Sequence, residues 1–310
     1  MRSVITFPRR KRKAALLDTR SEKIFYLLNG LGLLIFAAVC LYPILCIISG
    51  AISSPEAVGL GIVTFYPMGF SLQGFKYVMR DSWLVHGFLM SVFYTGAGTI
   101  INVVLTYLTA FALSRRELMG RSFLNLFFAF TMWFSGGIIP SYLLVRNLGM
   151  INTVWALLLP GAMSVWNMIV CRTFISNSIP EELFEAASID GSGYVRYMLT
   201  IAFPLSKAIV AVLVLWYAIG HWNSYFNALI YINNKQLKPL SLYLREYLVQ
   251  QATMDIADLM GGEETRMDLM GMTELMKNSL TLISCLPLWI LYPFIQKYLV
   301  KGVMIGSVKG

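Results

Sequence analysis

The chain has 310 residues, of which 57% are hydrophobic and only 13% charged, and its mean hydropathy is +0.65. An ordinary soluble domain is about one quarter charged, so a soluble globule of this size is excluded; so are a disordered chain and, with four Cys, a disulfide-stapled secreted domain. The net charge of +9, from 25 Lys and Arg against 16 Asp and Glu, then reads as a basic cytoplasmic surface on a polytopic membrane protein, with no nucleic-acid partner.

Residues 1–23 form a basic segment that includes Arg9, Arg10, Lys11, Arg12 and Lys13. It reads as a topology anchor resting on anionic headgroups of the bilayer, worth about 1 kcal/mol per charge. A cleaved signal peptide is not expected, because the first apolar run is too long for an h-region and no small-residue site closes it.

Asp, Glu, Lys and Arg are absent from six runs, 24–55, 82–114, 122–145, 147–171, 208–234 and 278–296. A charge at the centre of a spanning helix costs about 2.5–3.5 kcal/mol, which explains the segregation. The shortest run, 19 residues, reaches about 28 Å at about 1.5 Å per residue, enough for the hydrocarbon core. The pattern predicts an all-α integral membrane protein with six transmembrane helices within 24–300; β-barrel strands would be about 10 residues long with alternating polarity. With the N-terminus inside, the inner segments carry 17 Lys and Arg and the outer ones 8. Both termini and the loop 176–205 are therefore expected in the cytoplasm, with the loop 235–277 outside.

No expected span holds a carboxylate or a fixed cation, which argues against ion coupling and voltage sensing. His86 and His221 are the exceptions that titrate near pH 7, and a lone membrane His is more often an interhelical donor than a relay. Cys40, Cys46, Cys171 and Cys285 lie in or beside apolar runs and read as small hydrophobes without disulfide or metal roles. There is no P-loop, no H-E-x-x-H and no G-x-S-x-G elbow, so no catalytic residue, cofactor or metal is expected in this chain. An ATPase, if one is used, is another chain.

The loop between the fourth and fifth runs is the richest in signals. Ser178 and Glu181 fit a capping box, Pro180 suits a first turn, and Glu181, Glu182 and Glu185 suit the positive end of a helix dipole. Leu183, Ala186 and Ala187 give a small apolar face, and Gly191 is placed to stop the helix in a left-handed conformation. A second short segment runs from Tyr194 to Ile201 and on to Pro204. The expected product is a helix–turn–helix at the cytoplasmic surface, with a face suited to docking in a partner's groove.

The fifth run turns from aliphatic to aromatic and polar. Tyr217, His221 and Ser224 fall at helical spacing, and Trp216, Asn223 and Asn227 form an adjacent strip. Aromatic faces with amide and hydroxyl partners match a sugar's apolar ring face and hydroxyls. Trp133 and Ser135, Trp166 and Asn167, and Tyr94 and Asn102 would add to such a lining. Each residue alone reads as helix cement or interfacial aromatic before substrate contact, Trp222 and Tyr231 as an outer aromatic belt, while the strip of the fifth run as a whole reads as lining. In the loop 235–277, Asp255, Asp258, Glu263, Glu264 and Asp268 surround Gly261-Gly262. Their spacing is not that of an EF-hand, and a solvated loop is expected before a calcium site.

Glu185-Ala186-Ala187, then Gly191, Ile201 and Phe203-Pro204, resembles the E-A-A motif of binding-protein-dependent ABC importer permeases, with Phe203 where the family usually has Leu. Trp222-Asn223 through Ala228-Leu229 is similar to a stretch of the carbohydrate permeases of that family. Lys301-Gly302, Gly306 and Lys309-Gly310 resemble the tail of the maltose-type second permease. Within the family the chain is similar to permeases for complex polysaccharide fragments.

The resemblance implies the type I permease architecture and import of oligosaccharides by alternating access. It implies a heterodimer with a second permease subunit, two cytoplasmic ATPase subunits that bind ATP and Mg, and an extracytoplasmic sugar-binding protein, all at the bacterial cell membrane. Glu185, Ala186, Ala187, Asp190, Gly191 and Pro204 would couple to the ATPase. The loop 235–277, with Asp255, Asp258, Glu263 and Glu264, would dock the binding protein. The tail 301–310 serves either ATPase contact or positive-inside anchoring. The rival readings are a permease for another solute, such as peptides, and a membrane scaffold or intramembrane enzyme without an ATPase.

Overall fold

The computed structural model describes residues 20–257 and 263–306, and no strand occurs among them. The helices are α1 (Arg20–Ala51), α2 (Pro55–Gly59), α3 (Gln73–Arg80), α4 (Ser82–Ser114), α5 (Arg121–Trp133), α6 (Ile138–Asn147), α7 (Trp155–Leu158) and α8 (Val165–Ser178). They continue with α9 (Glu182–Ile189), α10 (Tyr194–Tyr197), α11 (Phe203–Leu205), α12 (Lys207–Trp222), α13 (Tyr225–Tyr231), α14 (Leu240–Ala257) and α15 (Glu263–Gly306).

Three of these carry segments long and apolar enough to cross a membrane: Ser21–Ala51, Ser82–Ser114 and Gly271–Pro293. Two further pairs qualify only as bent spans, α5 with α6 at 113° and Tyr194–Leu205 with α12 at 82°. Among the described residues this gives three spans, or five if each bent pair counts once. The run 147–171 is not one helix. Gly149, Asn152 and Gly161 all adopt positive φ, and Pro160 stands before the last of them, so the run is cut into α7 and the start of α8. Hydropathy alone does not register such breakers.

The central helix is α4. Asp81 caps it by accepting from the backbone N–H groups of Trp83 (2.8 Å) and Leu84 (3.3 Å), and the Arg121 Nε donates to the Leu113 carbonyl near its far end (2.9 Å). Gly87, Ser91, Gly98, Asn102 and Thr106 form a buried, mostly small and polar stripe that lets neighbouring helices approach. α12 and α8 pack along it. One core cluster, with Tyr107, Phe111, Met168, Cys171, Phe184, Tyr197 and Leu213, sits at the loop end of α4. A second, with Tyr94, Val145, Leu158, Ala228, Tyr231 and Leu242, sits nearer the other end. α1 by contrast leaves most of its apolar surface bare and packs on α15. All four thiols are free, with Cys171 buried in the first cluster.

Much of the expected outer loop 235–277 is helical: α14 and the start of α15 fill it. Leu240 and Leu242 are buried, and Lys238 pairs with Glu246 at 2.6 Å. Its first half is therefore packed against the bundle rather than solvated, because its leucines find a face on α4 and its neighbours.

Candidate functional site

The loop after α8 folds into α9 and α10. Gly191 has φ +74, its N–H donates to the Ser188 carbonyl (3.0 Å), and the Ser192 N–H donates to the Ala187 carbonyl (2.9 Å). That pair of bonds is a Schellman stop, as the position of Gly191 predicts. The capping box does not form. Ser178 ends α8, α9 has no side-chain cap, and Glu181 turns away to an arginine. Glu185, Ala186, Asp190 and Gly191 stand exposed on the outer surface, but Ala187, expected on the docking face with Leu183 and Ala186, turns inward beside Phe184 and packs in the first core cluster. Ile189, 88% exposed, stands with them. The outward face is thus small and apolar with carboxylates beside it.

Pro204 is also exposed but lies apart, in the one-turn helix α11. The chain reaches it through a π-helical turn, Met198–Ala202, and the Ser206 hydroxyl donates back to the Ala202 carbonyl (2.7 Å). The π turn, the proline and this back-bond account for the 82° bend into α12. Phe203 packs edge-on against Tyr107 of α4, ring centres 5.2 Å apart.

Behind α9 lies a residue that sequence reasoning did not single out. Arg115, the first residue after α4, is 4% exposed. Its Nη1 donates to Glu181 Oε1 at 3.1 Å, and its guanidinium carbon lies 5.3, 5.5 and 5.8 Å from the ring centres of Phe111, Phe184 and Tyr197. Phe184 in turn stacks on Tyr194 at 4.9 Å, and the Tyr194 hydroxyl donates to Glu117 at 2.6 Å. In the sequence Arg115 and Arg116 look alike, two positive-inside charges ending an apolar run. Only the return of α9 and α10 onto the end of α4 separates them.

The residues expected to line a path divide into two groups. Tyr217 and His221 face α4. Tyr217 exchanges a 2.6 Å hydrogen bond with Thr106 and accepts from the Ser164 N–H at 3.0 Å. With the Asn102 amide donating to the carbonyls of Gly98 (2.9 Å) and Ala162 (3.2 Å), its oxygen accepts from His221 Nε2 at 3.2 Å. A Cβ at Gly98 would run into the His221 ring. Tyr107 adds a bond to Ser206 at 3.2 Å. These polar groups satisfy one another across the α4–α12 seam. Asn167 is buried too, its backbone N–H on the Ser164 hydroxyl (3.4 Å).

Trp216, Asn223 and Asn227 are exposed, and Ser224 is half-buried. They do not share one helix. α12 ends at Trp222, Asn223 and Ser224 form the break, and Asn227 stands on α13. Trp133, 85% exposed, closes α5 far along the chain. Trp222 and Tyr231 are not an outer belt. Both are buried, Trp222 Nε1 donating to the Ser284 carbonyl (2.8 Å) and Tyr231 stacking on Tyr142 (6.2 Å). Of the expected docking carboxylates, Asp255 stands in α14 and Glu263 and Glu264 open α15, while Asp258 lies outside the described residues. In the tail, Lys301 and Gly302 continue α15, and Lys309 and Gly310 lie outside the described residues.

No family model matches the chain. Individual proteins do. Over 291 residues it is 35% identical to the polygalacturonan/rhamnogalacturonan transport system permease protein YtcP of Bacillus subtilis (strain 168), covering 93% of this chain and 99% of that one. It is 35% identical over 294 residues to protein LplC of the same organism, covering 94% and 97%. Among solved structures it resembles a bacterial ABC transporter involved in the import of the acidic polysaccharide alginate, with a TM-score of 0.81, 32% identity, and 90% and 98% of the two chains covered. With a permease relative at this identity along nearly its whole length, the chain belongs to the permease family of sugar ABC importers.

Proposed function

We propose that this chain is the transmembrane permease subunit of an ATP-driven importer for oligosaccharides of the kind released from acidic polysaccharides. It works as a heterodimer with a second permease, with two cytoplasmic ATPase subunits that hold ATP and Mg, and with an extracytoplasmic sugar-binding protein. It sits in the bacterial cell membrane with both termini in the cytoplasm. Six passes follow if α1, α4, α5, the broken α7–α8 segment, α12 and α15 each cross once. The chain itself binds no nucleotide and performs no bond chemistry. Its part is alternating access, driven by the different affinities of its two conformations for the closed and open ATPase pair.

The observation that carries this reading is the α9 surface. A helix stopped by Gly191 presents Glu185, Ala186 and Asp190 outward and buries Phe184 and Ala187 beneath them. The expected outer loop 235–277, with Asp255, Asp258, Glu263 and Glu264, is assigned to docking of the binding protein, and deletion of 255–268 is expected to impair uptake while leaving membrane insertion intact.

The test is purification of the tagged chain from native membranes in mild detergents, with mass spectrometry of what accompanies it. Recovery of a second permease and an ATPase is expected. Recovery of the chain alone or as a homo-oligomer across several detergents favours a scaffold instead. Uptake competition between oligosaccharides and peptides then decides the solute class.

A further inference from the structure

Among the described residues Arg115 is the one charged residue that is buried. A topology anchor does not need this. Its neighbour Arg116 is exposed and supplies a positive-inside charge at no cost of burial. A buried cation persists only when it is paired and its donors are used. Here the partners come from three elements: Phe111 from α4, Glu181 and Phe184 from the start of α9, and Tyr197 from α10. The planar guanidinium meets ring faces and a carboxylate at once, a combination that a lysine ammonium does not reproduce.

The elements on the two sides of this junction serve different ends. α9 presents the face assigned above to the ATPase. α4 is the helix on which α8 and α12 pack, and it holds Tyr217 and His221 through Thr106 and Asn102. The backbone joins α9 only to α8 and α10, through the short turns 179–181 and 190–193, so its link to α4 is made by side chains: the apolar packing of Phe184 and Ala187 in the first core cluster and the directional contacts of Arg115.

We infer that Arg115 is a positioning residue that joins α9 to α4 as one mechanical body, so that displacement of α9 by the ATPase is carried into the helix bundle instead of being absorbed in those turns. The inference rests on α9 being the ATPase-docking helix. Glu181 is its partner in this role, distinct from the outward carboxylate of Glu185.

The experiment uses the full complex with the four native cysteines of this chain and any reactive cysteines of its partners replaced, and spin labels at Ile189→Cys on α9 and Leu105→Cys on α4, both exposed positions. Electron–electron distances are measured without nucleotide and after trapping with Mg-ATP and vanadate, a probe that needs no sugar. In the wild-type background the α9–α4 distance is expected to stay the same in both states. In Arg115→Met it is expected to broaden and to shift on trapping, and sugar uptake is expected to be lost. A wild-type distance that changes on trapping overturns the inference, and so does an Arg115→Met distribution that matches wild type. A purely structural arginine would reduce the yield of complex without making the distance respond to nucleotide. If Arg115→Met fails to assemble, Arg115→Lys is read by the same two outcomes. Failure of the docking assignment is seen separately, as a wild-type chain that retains no ATPase.

Discussion

The loop after α8 and the aromatic strip of α12 both stand out in the sequence, yet they fold to different degrees of agreement with it. In the loop, the stop at Gly191 forms with the two bonds its position predicts, and Glu185, Ala186 and Asp190 share the outer surface. In the strip, the helix ends at Trp222, Tyr217 and His221 turn into the α4 seam, and Asn227 moves to α13. The loop's signals act within one or two turns, through caps and positive φ, so local sequence specifies them. The fate of a membrane polar group depends on which helix comes to face it, and that is set by residues more than 100 positions away, such as Thr106 for Tyr217.

Four substitutions sharpen or break this contrast. The largest effect is expected from Gly98→Leu. Any side chain there collides with the His221 ring and separates α4 from α12, and overpacking of this kind costs about 1–3 kcal/mol or more. Loss of a monodisperse peak in detergent chromatography is expected; a stable, active variant would show that the seam is looser than its hydrogen bonds imply. Next comes Gly191→Val, which forces a branched residue into positive φ at about 1–2 kcal/mol and loosens the end of α9. Uptake should fall severalfold with assembly retained, read by transport into proteoliposomes. Tyr217→Phe leaves the Ser164 N–H and Thr106 short of a partner, at about 1–2 kcal/mol. Its melting temperature should drop while its apparent affinity for sugar stays constant. A change in affinity instead would return Tyr217 to the path. The smallest effect on stability, within about 0.5 kcal/mol, is expected for Asn227→Ala on the exposed side of α13. A weaker apparent affinity for sugar in that variant would mark the exposed members of the strip as lining.

How much was legible follows from the same physics. Charge segregation points to the membrane class and marks the three segments that are long and apolar enough to cross, because each charge in a span is penalised wherever the helix packs; of the six runs expected to span, the others are bent or broken. It does not reveal that the run 147–171 breaks at Gly149, Asn152 and Gly161, since hydropathy is blind to backbone conformation. The loop is read correctly in its glycine, and wrongly in its cap and in one member of its face, since Ala187 turns into the core while Ala186 stays outside. Ser178 and Glu181 have the spacing of a capping box, but Glu181 finds a stronger, charged partner in Arg115. Arg115 itself is invisible in advance, being one of two adjacent arginines whose difference is entirely tertiary. Position near a span's end suggests a belt for Trp222 and Tyr231, yet both are buried, Trp222 bonded to the Ser284 carbonyl and Tyr231 stacked on Tyr142.

The most direct test of the account is Glu185→Ala in the reconstituted complex, with ATP hydrolysis and oligosaccharide uptake measured on the same vesicles. Glu185 is exposed on the outer face of α9 and its side chain makes no hydrogen bond or ion pair among the described residues, so the fold should survive its removal. The account predicts that the complex still hydrolyses ATP while uptake falls by at least about tenfold, a coupling loss within the range usual between linked sites. Wild-type uptake per ATP in that variant would contradict the assignment of α9 as the surface through which the ATPase drives transport.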